Sequence, residues 1–406
     1  MKTRILSVLM ASFFVLVSLM SAYASTSPVK IGFVYIMSGP FSAYGQFASQ
    51  GAELAVEEIN AAGGINGRQV EAVFEDSTGK ADVALRALRK LVYNDKVDFL
   101  VGLDSSGVAN TVVPSIQQMQ VPLIITHAAT PDVTGKFCNK YTFRISVNIN
   151  QNVKAGALVA NESGAKKWTT VGPDYAFGHQ SWEYFEKYLK EINPEASFLP
   201  NNDVAFTPFS TTDFSSYITK VMNSNPEGVF ISLWGGSLID FVRQATSMGF
   251  FDQGYKVLMS LGGATEVLTA LGDRMPEGLW VGTRYWFLAN DSPLNKSFVD
   301  SYFKKFNAYP SYNAHGAYSA VYAYRAAAQK AGSVDKEAIV TALEGLKIEI
   351  PTGTVVFRQG DHQAATNAHW GKIAADSNYP HRILNPVRIF KGADITPSLA
   401  ETGCSM

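Results

Sequence analysis

From residue 29 to residue 283 the chain alternates short runs rich in β-branched and aromatic residues with longer amphipathic stretches, and this alternation restricts the fold more than any other feature. Strand-like runs fall at 29–36, 70–74, 97–101, 121–126, 142–145, 168–171, 228–233, 256–261 and 278–283. Helical stretches at about 81–93, 109–119, 153–162, 182–192, 213–224, 238–248 and 264–271 separate most of them. Repeated β-α-β units predict an α/β fold with doubly wound parallel sheets covered by helices on both faces. Ligands on such sheets bind beyond the carboxyl ends of the strands.

The alternation pauses at Ser146-Val147-Asn148 and then restarts, which predicts a first crossing between two lobes. A second crossing is expected near Gly282-Thr283, before a mostly helical stretch from Pro293 to about Leu346. The run 350–357 reads as a short return segment and a third crossing. The expected division is 25–146 plus 283–349 for one lobe, and 147–282 plus 350–406 for the other with its tail.

The first strand leads into Met37-Ser38-Gly39-Pro40-Phe41-Ser42-Ala43-Tyr44-Gly45, where Ser38-Gly39-Pro40 forces a turn. A helix follows, with Ala52, Val56 and Ile59 on one stripe and Gly63-Gly64 as its stop. A strand, a glycine-bearing turn and a helix together present free N–H groups to a polar ligand head.

Residues 1–24 read as a secretory signal. Lys2 and Arg4 precede an apolar run from Ile5 to about Leu19, and Ala22-Tyr23-Ala24 has the small-x-small pattern of a cleavage site, placing the cut after Ala24. No cysteine stands near that site, so a lipid anchor is not expected, and no later run approaches membrane length. The mature chain is expected in the periplasm, as a monomer without direct membrane insertion. A formal net charge of -1 with no basic stripe argues against nucleic acid as a partner. In an exported chain Cys138 and Cys404 are expected to form a disulfide tying the tail to the body, the alternative being two unpaired thiols.

The six histidines are scattered and form no helical metal-binding pattern, and no Cys-x-x-Cys pair, Gly-x-Ser-x-Gly elbow or phosphate loop is present. Neither a metal, a cofactor nor an enzymatic activity is expected.

Six segments in order carry a family resemblance: Ser38-Gly39-Pro40, Ile59 to Gly67, Val101-Gly102-Leu103-Asp104-Ser105-Ser106, Ile125-Thr126-His127-Ala128-Ala129-Thr130, Asp174-Tyr175-Ala176-Phe177-Gly178 and Trp234-Gly235-Gly236. Together, over about 30–391, they resemble the periplasmic solute-binding proteins of branched-chain amino-acid (Leu/Ile/Val-binding) ABC transporters. The resemblance implies a type I periplasmic binding protein, two lobes joined by three hinge crossings that close on a small ligand and deliver it to a membrane permease and its ATPase. It implies that Ser106, beside Ser105, grips a ligand carboxylate with Ala128 and Thr130, that Tyr44 packs on the ligand side chain, and that Phe177 closes from the second lobe. Ser237 stands where the family often has an aromatic residue.

The main departure is Leu261, which occupies the position of the acidic residue that pairs with an amino acid's ammonium in this family. An ammonium buried without a counter-charge is costly, so the expected ligand is a carboxylate lacking an α-amine, such as an aromatic acid or a 2-oxo acid. Glu266 and Asp104 leave open the alternative of a hydrophobic or branched-chain amino acid; a sensing module for a chemoreceptor or kinase is a further one. His127 is a candidate ligand hydrogen-bonder, and Trp234 or Tyr285 a candidate wall residue. Arg284 reads as a solvated charge at the hinge edge, the alternative being a partner that neutralises a ligand carboxylate.

Overall fold

The computed structural model describes residues 27–406, so the expected signal segment and its cleavage after Ala24 lie outside the described residues. The first lobe is built on a five-stranded sheet, all parallel, in the order β2-β1-β3-β4-β5. Its strands are β1 (Val29–Tyr35), β2 (Val70–Asp76), β3 (Phe99–Gly102), β4 (Leu123–Ile125) and β5 (Thr142–Arg144). Ile31, Phe33, Val34 and Tyr35 are all buried, the continuous apolar run expected of a strand covered on both faces. The intervening helices are α1 (Ser42–Ala61), α2 (Ala81–Arg89) and α3 (Ser106–Met119).

After β5 the chain crosses to the second lobe and enters α4 (Ile149–Glu162), whose start is fixed by a capping box between Asn148 and Gln151. The second sheet has eight strands, with β15-β14-β11-β10-β9-β6-β7 as its path and β8 also paired to β6. In chain order its parallel part and covering helices are β6 (Lys167–Pro173), α5 (Ala176–Ile192), β7 (Ser197–Phe198), β8 (Ala205–Thr207), α6 (Ser215–Asn223), β9 (Gly228–Ile231), α7 (Gly235–Ser247), β10 (Lys256–Met259), α8 (Thr265–Leu271) and β11 (Trp280–Thr283).

The chain then returns to the first lobe through α9 (Pro293–Phe306), α10 (Tyr312–Ala331) and α11 (Lys336–Leu343). Helices α1 and α10 lie so close at Gly51 that a Cβ there would stand 2.1 Å from the Ala314 carbonyl oxygen. The hairpin of β12 (Lys347–Ile350) and β13 (Gly353–Val356) follows.

Here the third crossing departs from expectation. Residues 347–364 stay with the first lobe, where Gln363 bridges Arg144 in parallel and Arg144 and Ala364 exchange a backbone bond of 2.9 Å. The chain reaches the second sheet only at β14 (Ala368–Ala374) and β15 (Ile383–Phe390), which add antiparallel strands to its edge. A buried polar cluster holds the first and third crossings together. Arg144 Nε donates to Gln363 Oε1 at 2.6 Å, Gln363 Nε2 donates to the Ser146 carbonyl at 3.0 Å, and the Thr366 hydroxyl donates to the Ile145 carbonyl at 2.9 Å.

The tail forms two short helices, α12 (Gly392–Ile395) and α13 (Leu399–Thr402), and ends at a disulfide between Cys404 and Cys138. It runs from the last strand of the second lobe to a loop of the first.

Candidate functional site

The carboxyl ends of both sheets face one cleft. On the first lobe β3 ends at Gly102, and Leu103 follows with a positive φ of 64°, a conformation that costs a residue with a side chain about 1–3 kcal/mol. The turn it makes places Asp104, Ser105 and Ser106 in the buried interior. Ser105 is the N-cap of α3, its hydroxyl accepting the Val108 N–H at 3.5 Å. Ser106 sits in the first helical turn, whose N–H groups have no partner within the helix and favour an anion. Its hydroxyl oxygen accepts the Thr130 N–H at 3.1 Å, which joins the two loops beyond β3 and β4.

Asp104, Ser106, His127 and Ala129 form the first-lobe wall of a cavity of about 10 Å³ between the lobes. Tyr175, Phe177, Trp234 and Leu261 form the opposite wall, and Arg284 enters from the second crossing. That space holds roughly one water, so a ligand of several carbon atoms does not fit with these side chains where they stand.

Of the ligand-binding candidates singled out in the sequence, Ser106, His127, Phe177, Trp234 and Leu261 reach this cavity, as do Asp104 and Arg284, whose roles the sequence left open. The others stand behind it or away from it. Tyr44 stacks on His127 with ring centroids 5.2 Å apart, and its hydroxyl accepts the Gly235 N–H across the cleft at 3.1 Å. Ala128 and Thr130 are fully buried, and both carbonyls accept from Arg144 Nη1, at 3.3 and 2.5 Å. Ala129 holds the wall position beside them. Ser237 lies in the first turn of α7. Tyr285 corrects an expectation: it is packed inside the first lobe, stacked on His315 at 4.5 Å with its hydroxyl donating to Asn295 Oδ1 at 2.7 Å.

Arg284 is the larger correction. Only 4% of it is exposed, because Tyr312, whose ring lies 5.2 Å from the guanidinium, and the aromatic walls cover it. Its Nη1 donates to the His127 carbonyl, its Nε has no partner, and it forms no ion pair with a described Asp or Glu. Burial pushes its pKa down, partly offset by the hydroxyls of Tyr312, Tyr44 and Tyr175. Arg144 differs. It is fully buried too, with a pKa lowered by burial to about 9, yet every nitrogen of its guanidinium donates to a neutral oxygen.

Asp104 is occupied by the protein itself. Its Oδ2 accepts the Ile36 N–H at 2.5 Å, its Oδ1 meets His127 Nδ1 at 3.1 Å, and its side chain has 0% exposed surface. Burial lowers the His127 pKa and outweighs the pull of Asp104 in the other direction. The imidazole is therefore neutral, and Asp104 fixes Nδ1 as the protonated nitrogen. Glu266 lies off the cavity wall, bonded to Asn313.

Sequence reasoning missed Tyr175 and Ala129, and it weighed Arg284 as a carboxylate partner but favoured a solvated charge. Tyr175 belongs to the same segment as Phe177, and its hydroxyl accepts the Trp234 indole N–H at 2.9 Å. For Arg284 a signal existed: a lone cation between a strand end and Tyr285-Trp286-Phe287, all three buried. Among the described residues no group of three or more His, Cys, Asp or Glu is placed to hold a metal ion.

Two α/β lobes, three crossings and an enclosed polar-aromatic cavity between sheet ends define a two-lobed binding-protein fold. The chain belongs to the periplasmic binding protein family, whose model matches residues 28–378. Among its relatives is the leucine-, isoleucine-, valine-, threonine-, and alanine-binding protein of Pseudomonas aeruginosa, 26% identical over 337 residues, which are 82% of this chain and 87% of that protein. An amino acid ABC transporter substrate-binding protein from Pseudomonas fluorescens Pf-5 superposes with a TM-score of 0.82 at 25% identity, covering 94% of this chain and 100% of that one. A solute-binding protein of an ABC transporter from Rhodopseudomonas palustris BisB5, solved with 3,4-dihydroxybenzoic acid, has a TM-score of 0.81 at 23% identity, covering 90% and 98%. The protein is thus a type I periplasmic binding protein, the substrate-binding component of an ABC transporter.

Proposed function

We propose that the ligand is a small carboxylate without an α-amine, an aromatic acid or a 2-oxo acid, held between the lobes by Arg284, Ser106 and the N-terminus of α3. The observation that carries this reading is the buried Arg284 guanidinium without a carboxylate partner. An unpaired buried cation is costly, and an anionic ligand removes that cost. An ammonium has no matching group: Leu261 is apolar, Asp104 is engaged on both oxygens, and Glu266 stands off the wall. Tyr175, Phe177 and Trp234 supply the apolar cover that an aromatic ring favours. The dihydroxybenzoate found in the R. palustris protein is a ligand of this kind in the same fold.

In this reading the exported monomer closes on its ligand, with Tyr44 and Thr130 bracing the site from behind, and the permease with its ATPase recognises the closed shape. Differential contact with the two lobes shifts the hinge equilibrium. The amino-acid-binding relative from P. aeruginosa favours a second reading, a branched-chain amino acid. A thermal-shift screen separates them. Stabilisation by benzoates or 2-oxo acids supports the first, and stabilisation by leucine or valine alone sinks it.

A further inference from the structure

Glu266 lies in the first turn of α8 on the second lobe, and Asn313 lies in the first turn of α10 on the first. The Asn313 side-chain amide donates to Glu266 Oε1, and beside it the Thr265 hydroxyl donates to the Pro310 carbonyl at 3.2 Å. Both bonds run from one lobe to the other. Only 4% of Glu266 and 1% of Asn313 is exposed.

Two oxygens of this pair are left over: no well-formed hydrogen bond reaches Glu266 Oε2 or Asn313 Oδ1. While Glu266 is ionised both are acceptors, and two acceptors cannot satisfy each other. A proton on Oε2 turns it into a donor. A carboxylic acid beside a primary amide can then pair with it twice, through O–H···O and N–H···O. Among the described residues no cation pairs with this carboxyl. The titratable groups around it are Tyr44 of α1, Tyr302 of α9, Tyr312 of α10 and, beyond β3, Asp104. Burial raises the Glu266 pKa to about 7, although its own N–H, Asn313 and Ser311 favour the anion.

We propose that Glu266 and Asn313 form a latch between the lobes that takes up one proton as the lobes close. Parting the lobes returns Glu266 to water, where a carboxyl titrates near 4.3. The closed form then holds the proton up to about pH 7, while the open form has lost it. Closure is strongest at the acid end of that window and weakens as pH rises through it. His127 acts in the opposite direction, since its burial disfavours the protonated ring. The Glu266→Gln variant keeps His127 and keeps an amide in the latch at every pH, so the difference between the two proteins isolates Glu266.

Two measurements on the full chain without ligand, under conditions where small-angle scattering matches the closed lobes, test the latch. Infrared difference spectroscopy between the wild type and Glu266→Gln at pH 6 is expected to show the carbonyl band of a protonated carboxylic acid in the wild type only. Urea unfolding from pH 5 to 8 is expected to show the wild-type folding constant falling relative to the variant by up to about tenfold per pH unit before levelling. A missing band, or the same pH profile in both proteins, overturns the proposal. Neither readout depends on which ligand the cleft accepts.

Discussion

The Tyr44 hydroxyl of the first lobe accepts the Gly235 N–H of the second at 3.1 Å, so the turn after β1 and the turn after β9 are joined directly across the cleft. The approach is close because the second turn is glycine. A Cβ at Gly235 would lie 2.5 Å from Phe41 Cδ1, and one at Gly236 would lie 2.7 Å from the Pro40 carbonyl oxygen. Tyr44 therefore acts on closure, with His127 between its ring and the cavity. A neutral hydrogen bond contributes about 0.5–1.5 kcal/mol net. Tyr44→Phe is expected to weaken ligand binding by roughly three- to tenfold by calorimetry, and an unchanged affinity would separate Tyr44 from closure.

Arg284 is expected to behave as a binding residue that costs stability. Arg284→Gln removes an unpaired buried cation, so unfolding of the protein without ligand should be unchanged or shifted to higher urea. Affinity for carboxylates should fall by at least about a hundredfold, the order expected for a charge-assisted pair in a buried site. Loss of stability with affinity retained would assign Arg284 to structure alone.

Acid should destabilise the fold. His127, His315, His362, His369 and His381 all have pKa values lowered by burial, His315 to about 3 and His369 to about 4. A base whose folded pKa lies below its unfolded value of about 6.5 gives stability that is present above 6.5 and lost as pH falls. Each such group removes up to about 1.4 kcal/mol per pH unit. Glu266 opposes this trend but is one group against five. Urea unfolding at pH 7.5 and pH 5 should show the loss, and His315→Gln should reduce it; a flat profile would contradict the buried neutral histidines.

The bond between Cys138 and Cys404 closes a loop across a sequence separation of 266 residues. Cys138→Ser with Cys404→Ser is expected to lower stability by about 2–4 kcal/mol, read as a fall in the urea midpoint. Dithiothreitol should reproduce the effect in the wild type and do nothing to the double variant. No change in either would show that the bond does not constrain the chain.

The parallel core of both lobes was legible because most of its strands are runs rich in β-branched and aromatic residues set between helical periods. The added strands were not. β7 and β8 are two and three residues long, β14 carries His369, Gly371 and Lys372, and β15 carries Pro386 in a position only an edge strand tolerates. The third crossing was misplaced for a related reason. The hairpin of β12 and β13 reads as a return segment, yet residues 362–364 just after it bond to Arg144 of β5 on the first lobe. Within the site, Ser106 and Phe177 followed from family position. Arg284 was not settled there, since a charge at a strand end is ordinarily solvated and it is its burial beside Tyr312 that makes it a cleft residue. Ala129 rather than Ala128 lines the cavity, while the Ala128 carbonyl accepts from Arg144 Nη1 at 3.3 Å.

The most direct test compares two ligands that differ in one group. Leucine and 4-methyl-2-oxopentanoate share a carbon skeleton and a carboxylate, and only leucine carries an ammonium. Calorimetric titration of the purified chain with each, alongside 4-hydroxybenzoate, should give binding by the 2-oxo acid or the benzoate and none by leucine. Tighter binding of leucine than of its 2-oxo counterpart would contradict the account, because it would require an ammonium partner that Leu261, Asp104 and Glu266 do not provide.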